Sequence, residues 1–158
     1  MKTNKIMVPL DGSELAESAL VDAFDLVAED GVVVLMRAAE AHVRPGSDPI
    51  TAQIDVVAEA EQYLSALKSE FEGRGIRNLE THVWYGPPAA SIIQAAGVYK
   101  PDLIVMSTHG RSGVGRLIFG SVAESVLRGT AIPIFLRRPS AAPIDLPEVG
   151  TQPKELVL

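Results

Sequence analysis

The 158-residue sequence contains no cysteine. That absence excludes disulfide frameworks, thiolate zinc sites, iron–sulfur clusters and cysteine nucleophiles together. It also lacks any run of about 18–20 apolar residues, the length a helix needs to span a bilayer. The opening Met1-Lys2-Thr3-Asn4-Lys5 is basic but leads straight into Pro9 and Asp11, without the apolar region of a signal peptide. The expected compartment is therefore the cytoplasm. A net charge of −6 leaves nothing globally basic to coat nucleic acid. His42, His82 and His109 are far apart and lack ligand spacing, so no metal site is expected. There is no internal repeat. What is present is ordinary for a globular domain: 47% hydrophobic and 22% charged residues, in a length that fits one domain.

The punctuation of the chain predicts alternating strands and helices. Lys5-Ile6-Met7-Val8-Pro9-Leu10, closed by Asp11-Gly12, reads as a strand buried on both faces. Ser13 offers an N-cap oxygen, and Ala16, Ala19, Leu20, Ala23 and Val27 repeat with helical spacing, predicting a helix over 13–29. Asp30-Gly31 ends it, and 32–36 is a second buried strand. A loop from 41 to about 51 precedes a long helix with Val56, Ala60, Tyr63, Leu64, Leu67 and Phe71 on one stripe, ended by Gly73 and Gly75. Residues 79–85 alternate, which predicts an edge strand solvated on one side. Gly86-Pro87-Pro88 opens a helix to about residue 99. Leu103-Ile104-Val105-Met106 is an interior strand, 117–128 a helix, and 132–136 a fifth strand, put at an edge by the proline inside it. Residues 1–138 form the expected domain, and the proline-rich 139–158 a flexible tail. The pattern predicts a single doubly wound α/β domain: a five-stranded parallel sheet of order 3-2-1-4-5 with helices on both faces. Ligands in such sheets bind beyond the carboxyl ends of the strands, where the strand order reverses.

The segment Ser107-Thr108-His109-Gly110-Arg111-Ser112-Gly113-Val114-Gly115-Arg116, followed by Gly120-Ser121-Val122 at a helix start, is the most informative. Glycines let backbone N–H groups approach an anion, and a helix N-terminus adds its positive dipole. Residues 109–138 hold five arginines against one glutamate, within an acidic chain. Composition alone leaves two readings open, a phosphate-binding loop and a surface loop with glycines for flexibility and arginines for solubility. Three sharper motifs fail. Gly110 and Gly115 have Walker A spacing, but Arg116 and Leu117 follow where lysine and a hydroxyl belong. A dinucleotide fingerprint needs several glycines after the first strand, where only Gly12 stands. A nucleophile elbow needs a glycine two residues after Ser112, and Val114 is there. His109 could touch a phosphate or cap the loop. Asp11 could cap the first helical turn, or contact ribose or a phosphate-bound magnesium.

Three stretches together resemble the universal stress protein family: Ile6 to Ser13, Met106 to Gly113, and Phe119 to Glu124 leading to Ala131-Ile132-Pro133-Ile134. The resemblance covers about residues 3–138. The nucleotide-binding branch of that family carries glycine, two residues, glycine, nine residues, then glycine and serine or threonine. Gly110, Gly120 and Ser121 match this pattern, and Ser107 replaces its first glycine. The resemblance implies ATP as ligand, with magnesium. Pro9, Leu10 and Asp11 would line adenosine, and Ala38 would sit beside the adenine edge. Arg111, Ser112 and Gly113, with Gly120, Ser121 and Val122, would hold the phosphates, flanked by Ser107 and His109.

No base or nucleophile is evident beside those phosphates. The expected function is therefore that of a nucleotide-binding sensor or regulator in stress response, with little or no hydrolysis. Two alternatives stand beside it: an ATP-hydrolysing or adenylyl-transferring enzyme of related architecture, and a dimeric interaction module that binds no nucleotide. The apolar fifth strand (Ile132, Ile134, Phe135, Leu136) would be a hazard if bare, which predicts a homodimer through that edge.

Overall fold

Ile6, Val8 and Leu10 point to one face of the first strand, β1 (Thr3–Leu10), and Met7 to the other, and all four are buried. Such a strand needs cover on both sides. The computed structural model, which describes residues 2–108 and 120–138, supplies it. After β1 come α1 (Glu14–Glu17), α2 (Ala19–Leu26), β2 (Val27–Ala39), α3 (Pro49–Gly73), β3 (Leu79–Tyr85), α4 (Pro88–Tyr99), β4 (Leu103–Ser107), α5 (Ser121–Gly129) and β5 (Ile134–Arg137). The five strands form one sheet of order β3-β2-β1-β4-β5, every pair parallel. This is the predicted doubly wound α/β architecture. Ala16, Ala19, Leu20 and Ala23 pack with Leu64 and Leu67 of α3 on one face of the sheet. Ile92, Ala95 and Ala96 of α4 and Ala123 and Val126 of α5 cover the other. Among the described residues no helix is long and apolar enough to cross a membrane.

Several elements differ from the sequence reading. The helix expected over 13–29 is two, because the Ser18 hydroxyl donates to the Leu15 carbonyl at 2.6 Å and competes with the helical ladder at the junction. Its expected last residues instead begin β2, so Asp30-Gly31 lies inside a strand rather than in a turn. The register slips between Thr3↔Val27 and Lys5↔Val32. Gly31 makes this irregularity possible, since a Cβ there would stand 2.6 Å from Val27 Cγ2 and 2.9 Å from the Asn4 carbonyl oxygen. The loop after β2 is shorter than expected, because Asp48 caps α3 by accepting from the Ile50 and Thr51 amides. The Thr51 hydroxyl and amide hold its carboxyl below the usual carboxylate range.

β3 is an edge, but the face expected in water is only partly so: Glu80 is exposed, while His82 and Trp84 are half-buried. His82 stacks on Tyr99 of α4 with centroids 4.2 Å apart, and Trp84 donates to Gln94 Oε1 at 3.1 Å. The crossover from an edge strand back to β4 has to pass under β3, which covers part of the face that the alternation assigned to water. Pro133 precedes β5 instead of interrupting it, and its carbonyl accepts from Ile104 N at 2.9 Å. The helix expected from Leu117 begins, among the described residues, at Ser121.

Candidate nucleotide cleft

Two strands that leave the centre of the sheet in opposite directions open a crevice between their carboxyl ends. Here the chain runs from β1 outward to β3 and then returns to β4 beside β1, so the crevice lies over Leu10 and Ser107. A cleft of about 670 Å³, counted with its open mouth, occupies that place. Its walls include Pro9, Leu10 and Asp11 from the end of β1, Ala38 from β2, Ser107 from β4 and Val122 from α5. All six are among the residues singled out from the sequence. Gly120 and Ser121 sit at the N-terminus of α5, directly before Val122. His109, Gly110, Arg111, Ser112 and Gly113 lie outside the described residues.

The cleft has further walls that the sequence reading missed. Met36 and Met106 face it from β2 and β4, Ile92 and Pro88 from α4, Ala16 from α1 and Ala123 from α5. Met36 was accessible in principle, because it alternates with Ala38 along the strand and so shares its face. Nothing in the sequence places Pro88 and Ile92 there, since that depends on how α4 crosses the sheet. The lining is mostly apolar and suits a flat base rather than a polyanion.

Polar groups stand at the ends of this apolar wall. Asp11 Oδ1 accepts from Ser13 N at 2.9 Å and from Ser13 Oγ at 2.5 Å, while Ser13 Oγ accepts from Ala16 N at 3.1 Å as the N-cap of α1. Asp11 therefore does serve the first helical turn, and its exposed side chain also borders the cleft. At the other end, α5 has Gly120 as N-cap, a residue with no side chain to cap the first amides. Amides at a helix N-terminus are donors available to an anion. Ser107 is 7% exposed and lies in register with Arg137.

The arginine excess looks different in three dimensions. Arg128 pairs with Glu124 at 2.8 Å on the exposed side of α5, and Arg137 pairs with Asp22 at 2.6 Å across the sheet. Two of the five cations are thus committed to carboxylates, one of them outside the counted segment. His82 and His42 do not line the cleft, and among the described residues no three His, Asp or Glu side chains converge on a metal site.

Behind Asp11, on the α3 side, Arg37 lies 4.7 Å from the centre of the Tyr63 ring, and the Tyr63 hydroxyl donates to Glu17 Oε1 at 2.7 Å. Burial, the Glu17 hydrogen bond and the Glu17 charge push the Tyr63 phenol well above its usual range, and Arg37 opposes them.

Comparison with known proteins agrees with this geometry. The model of the universal stress protein family matches residues 2–138. Universal stress protein MJ0531 of Methanocaldococcus jannaschii is 30% identical over 138 residues, covering 84% of this chain and 80% of that protein. Two solved structures share the fold at low identity. A universal stress protein in complex with cAMP superposes with a TM-score of 0.65 at 18% identity, covering 85% of this chain and 97% of the other. A universal stress protein family member from Arabidopsis thaliana with AMP bound gives 0.61 at 16%, covering 87% and 93%. Strand order, cleft position and the match across nearly the whole described chain converge, and the chain belongs to the universal stress protein family.

Proposed function

We propose that the cleft binds an adenine nucleotide, ATP with magnesium, and that the protein acts as a cytoplasmic sensor or regulator with little or no hydrolysis. The observation that carries this reading is one crevice, at the reversal of strand order, with an apolar wall between Asp11 and the N-terminus of α5. Adenine would lie against Ala38, Pro9 and Leu10, and ribose beside Asp11. Phosphates would meet the amides at Gly120, Ser121 and Val122, together with Ser107, His109, Gly110, Arg111, Ser112 and Gly113. Family members holding AMP and cAMP support an adenine ligand. Magnesium would arrive with the phosphates, because the described residues do not gather a ligand set of their own. Residues 1–138 would be the binding domain, and the chain would form a homodimer through β5.

The test of the phosphate end is Gly120→Glu. A carboxylate at the α5 N-cap would face the phosphates. It should abolish calorimetric ATP binding while the far-UV circular dichroism stays that of the wild type. Unaltered affinity in a folded variant would remove the proposed site.

A further inference from the structure

Arg37 stands on β2 in register with Leu10, the residue before Asp11. Side chains alternate across a strand, so Arg37 leaves the sheet on the face opposite Met36 and Ala38, away from the cleft wall and toward α3. Only 19% of its side chain is exposed. The guanidinium passes beyond the end of β1 and lies under Gly12: a Cβ built on Gly12 would stand 3.5 Å from both Nη atoms. Gly12 has φ +84°, a conformation that glycine adopts without strain, so the turn rests its open side on the guanidinium. Glu59 Oε1 lies 3.9 Å from Nη2, a long pair with a carboxylate that is 74% exposed, and the Tyr63 ring closes the other side. No hydrogen bond from the guanidinium to another described residue accompanies these contacts.

An arginine so placed is a wedge. It fills the space between the Asp11-Gly12-Ser13 turn and α3, reached from β2. We propose that Arg37 is the positioning residue for Asp11, and that it thereby sets how strongly the site distinguishes a ribonucleotide from a nucleotide without ribose hydroxyls. This rests on the adenine-nucleotide reading of the cleft. Asp11 Oδ1 accepts from both Ser13 N and Ser13 Oγ, so the direction of the carboxylate follows the turn that Arg37 supports. Loss of the wedge lets the turn settle and turns the carboxylate away, while the apolar wall and the α5 amides are untouched.

The experiment is calorimetric titration of the full chain with ATP and with 2′,3′-dideoxy-ATP, for wild type, Arg37→Met and Arg37→Lys. Wild type should prefer ATP by about tenfold, the order of one charge-assisted hydrogen bond. Arg37→Met should reduce the preference below about threefold by weakening ATP alone, with the dideoxy affinity unchanged within about twofold. Arg37→Lys, a cation without the planar fork, should fall between them and also carries the test if the methionine variant does not fold. Equal weakening of both nucleotides would make Arg37 a mere staple of α3 and overturn the proposal, as would full discrimination in both variants. Those results leave the nucleotide reading standing. A wild type that binds neither nucleotide removes that reading and the proposal with it.

Discussion

Asp102 and Asp11 are both carboxylates at strand ends, yet they do different work. Asp102 accepts from the amides of Asn4 at 3.0 Å and Lys5 at 2.8 Å, and its own amide donates to the Lys5 carbonyl at 2.8 Å. It ties the start of β4 to the start of β1, the two strands whose opposite ends frame the cleft. Asp102→Ala leaves both amides to water and removes a charge-assisted pair, so a loss of about 1–2 kcal/mol is expected. For a chain of this size that is a fall in Tm of roughly 2–8 °C, read by thermal denaturation, with nucleotide affinity unchanged. An unchanged Tm would show that the amides are equally well served by water. Asp11 was legible in the sequence as a cleft carboxylate because it ends an apolar run before a glycine. The role of Asp102 was not, because it depends on contacts 97 and 98 residues away along the chain. Arg37 was overlooked for a related reason: it sits inside a strand, and only the register with Leu10 brings it under Gly12.

At the scale of elements, periodicity located every strand and misjudged several ends. The β3 boundaries agree with the expectation, because Asn78 and Gly86, both with positive φ, break the chain on either side. The boundary between α2 and β2 does not, since helix passes to strand at Val27 with no turn residue to mark it. β5 pairs with β4 and, among the described residues, has no second neighbour. Phe135 on it is 40% exposed, and Leu127 on the adjoining α5 is 51% exposed. A free edge with apolar side chains beside it favours pairing with a second copy about a twofold axis. Light scattering should give twice the 16.8 kDa chain mass at micromolar concentration, and Phe135→Lys should halve it. A wild type of monomeric mass would contradict the dimer through β5.

For the whole molecule, the decisive feature is where the sheet reverses direction. Every strand pair is parallel, which places all the strand ends that matter on one side, so residues as distant as Leu10, Ala38, Ser107 and Val122 share one cleft. The alternation of strands and helices made this visible from sequence. The far side of the sheet offers a contrast: a shallow hollow there is lined by Lys2, Phe24, Ala28, Gly31 and Arg77, at the amino ends of the strands. The most direct measurement is therefore a nuclear magnetic resonance titration of the labelled full chain with magnesium and ATP. Saturable amide shifts should be largest at Leu10, Asp11, Ala38, Ser107 and Val122, with Lys2, Ala28 and Arg77 unmoved. No saturable shift, or shifts gathered at Lys2, Ala28 and Arg77 instead, would contradict the account.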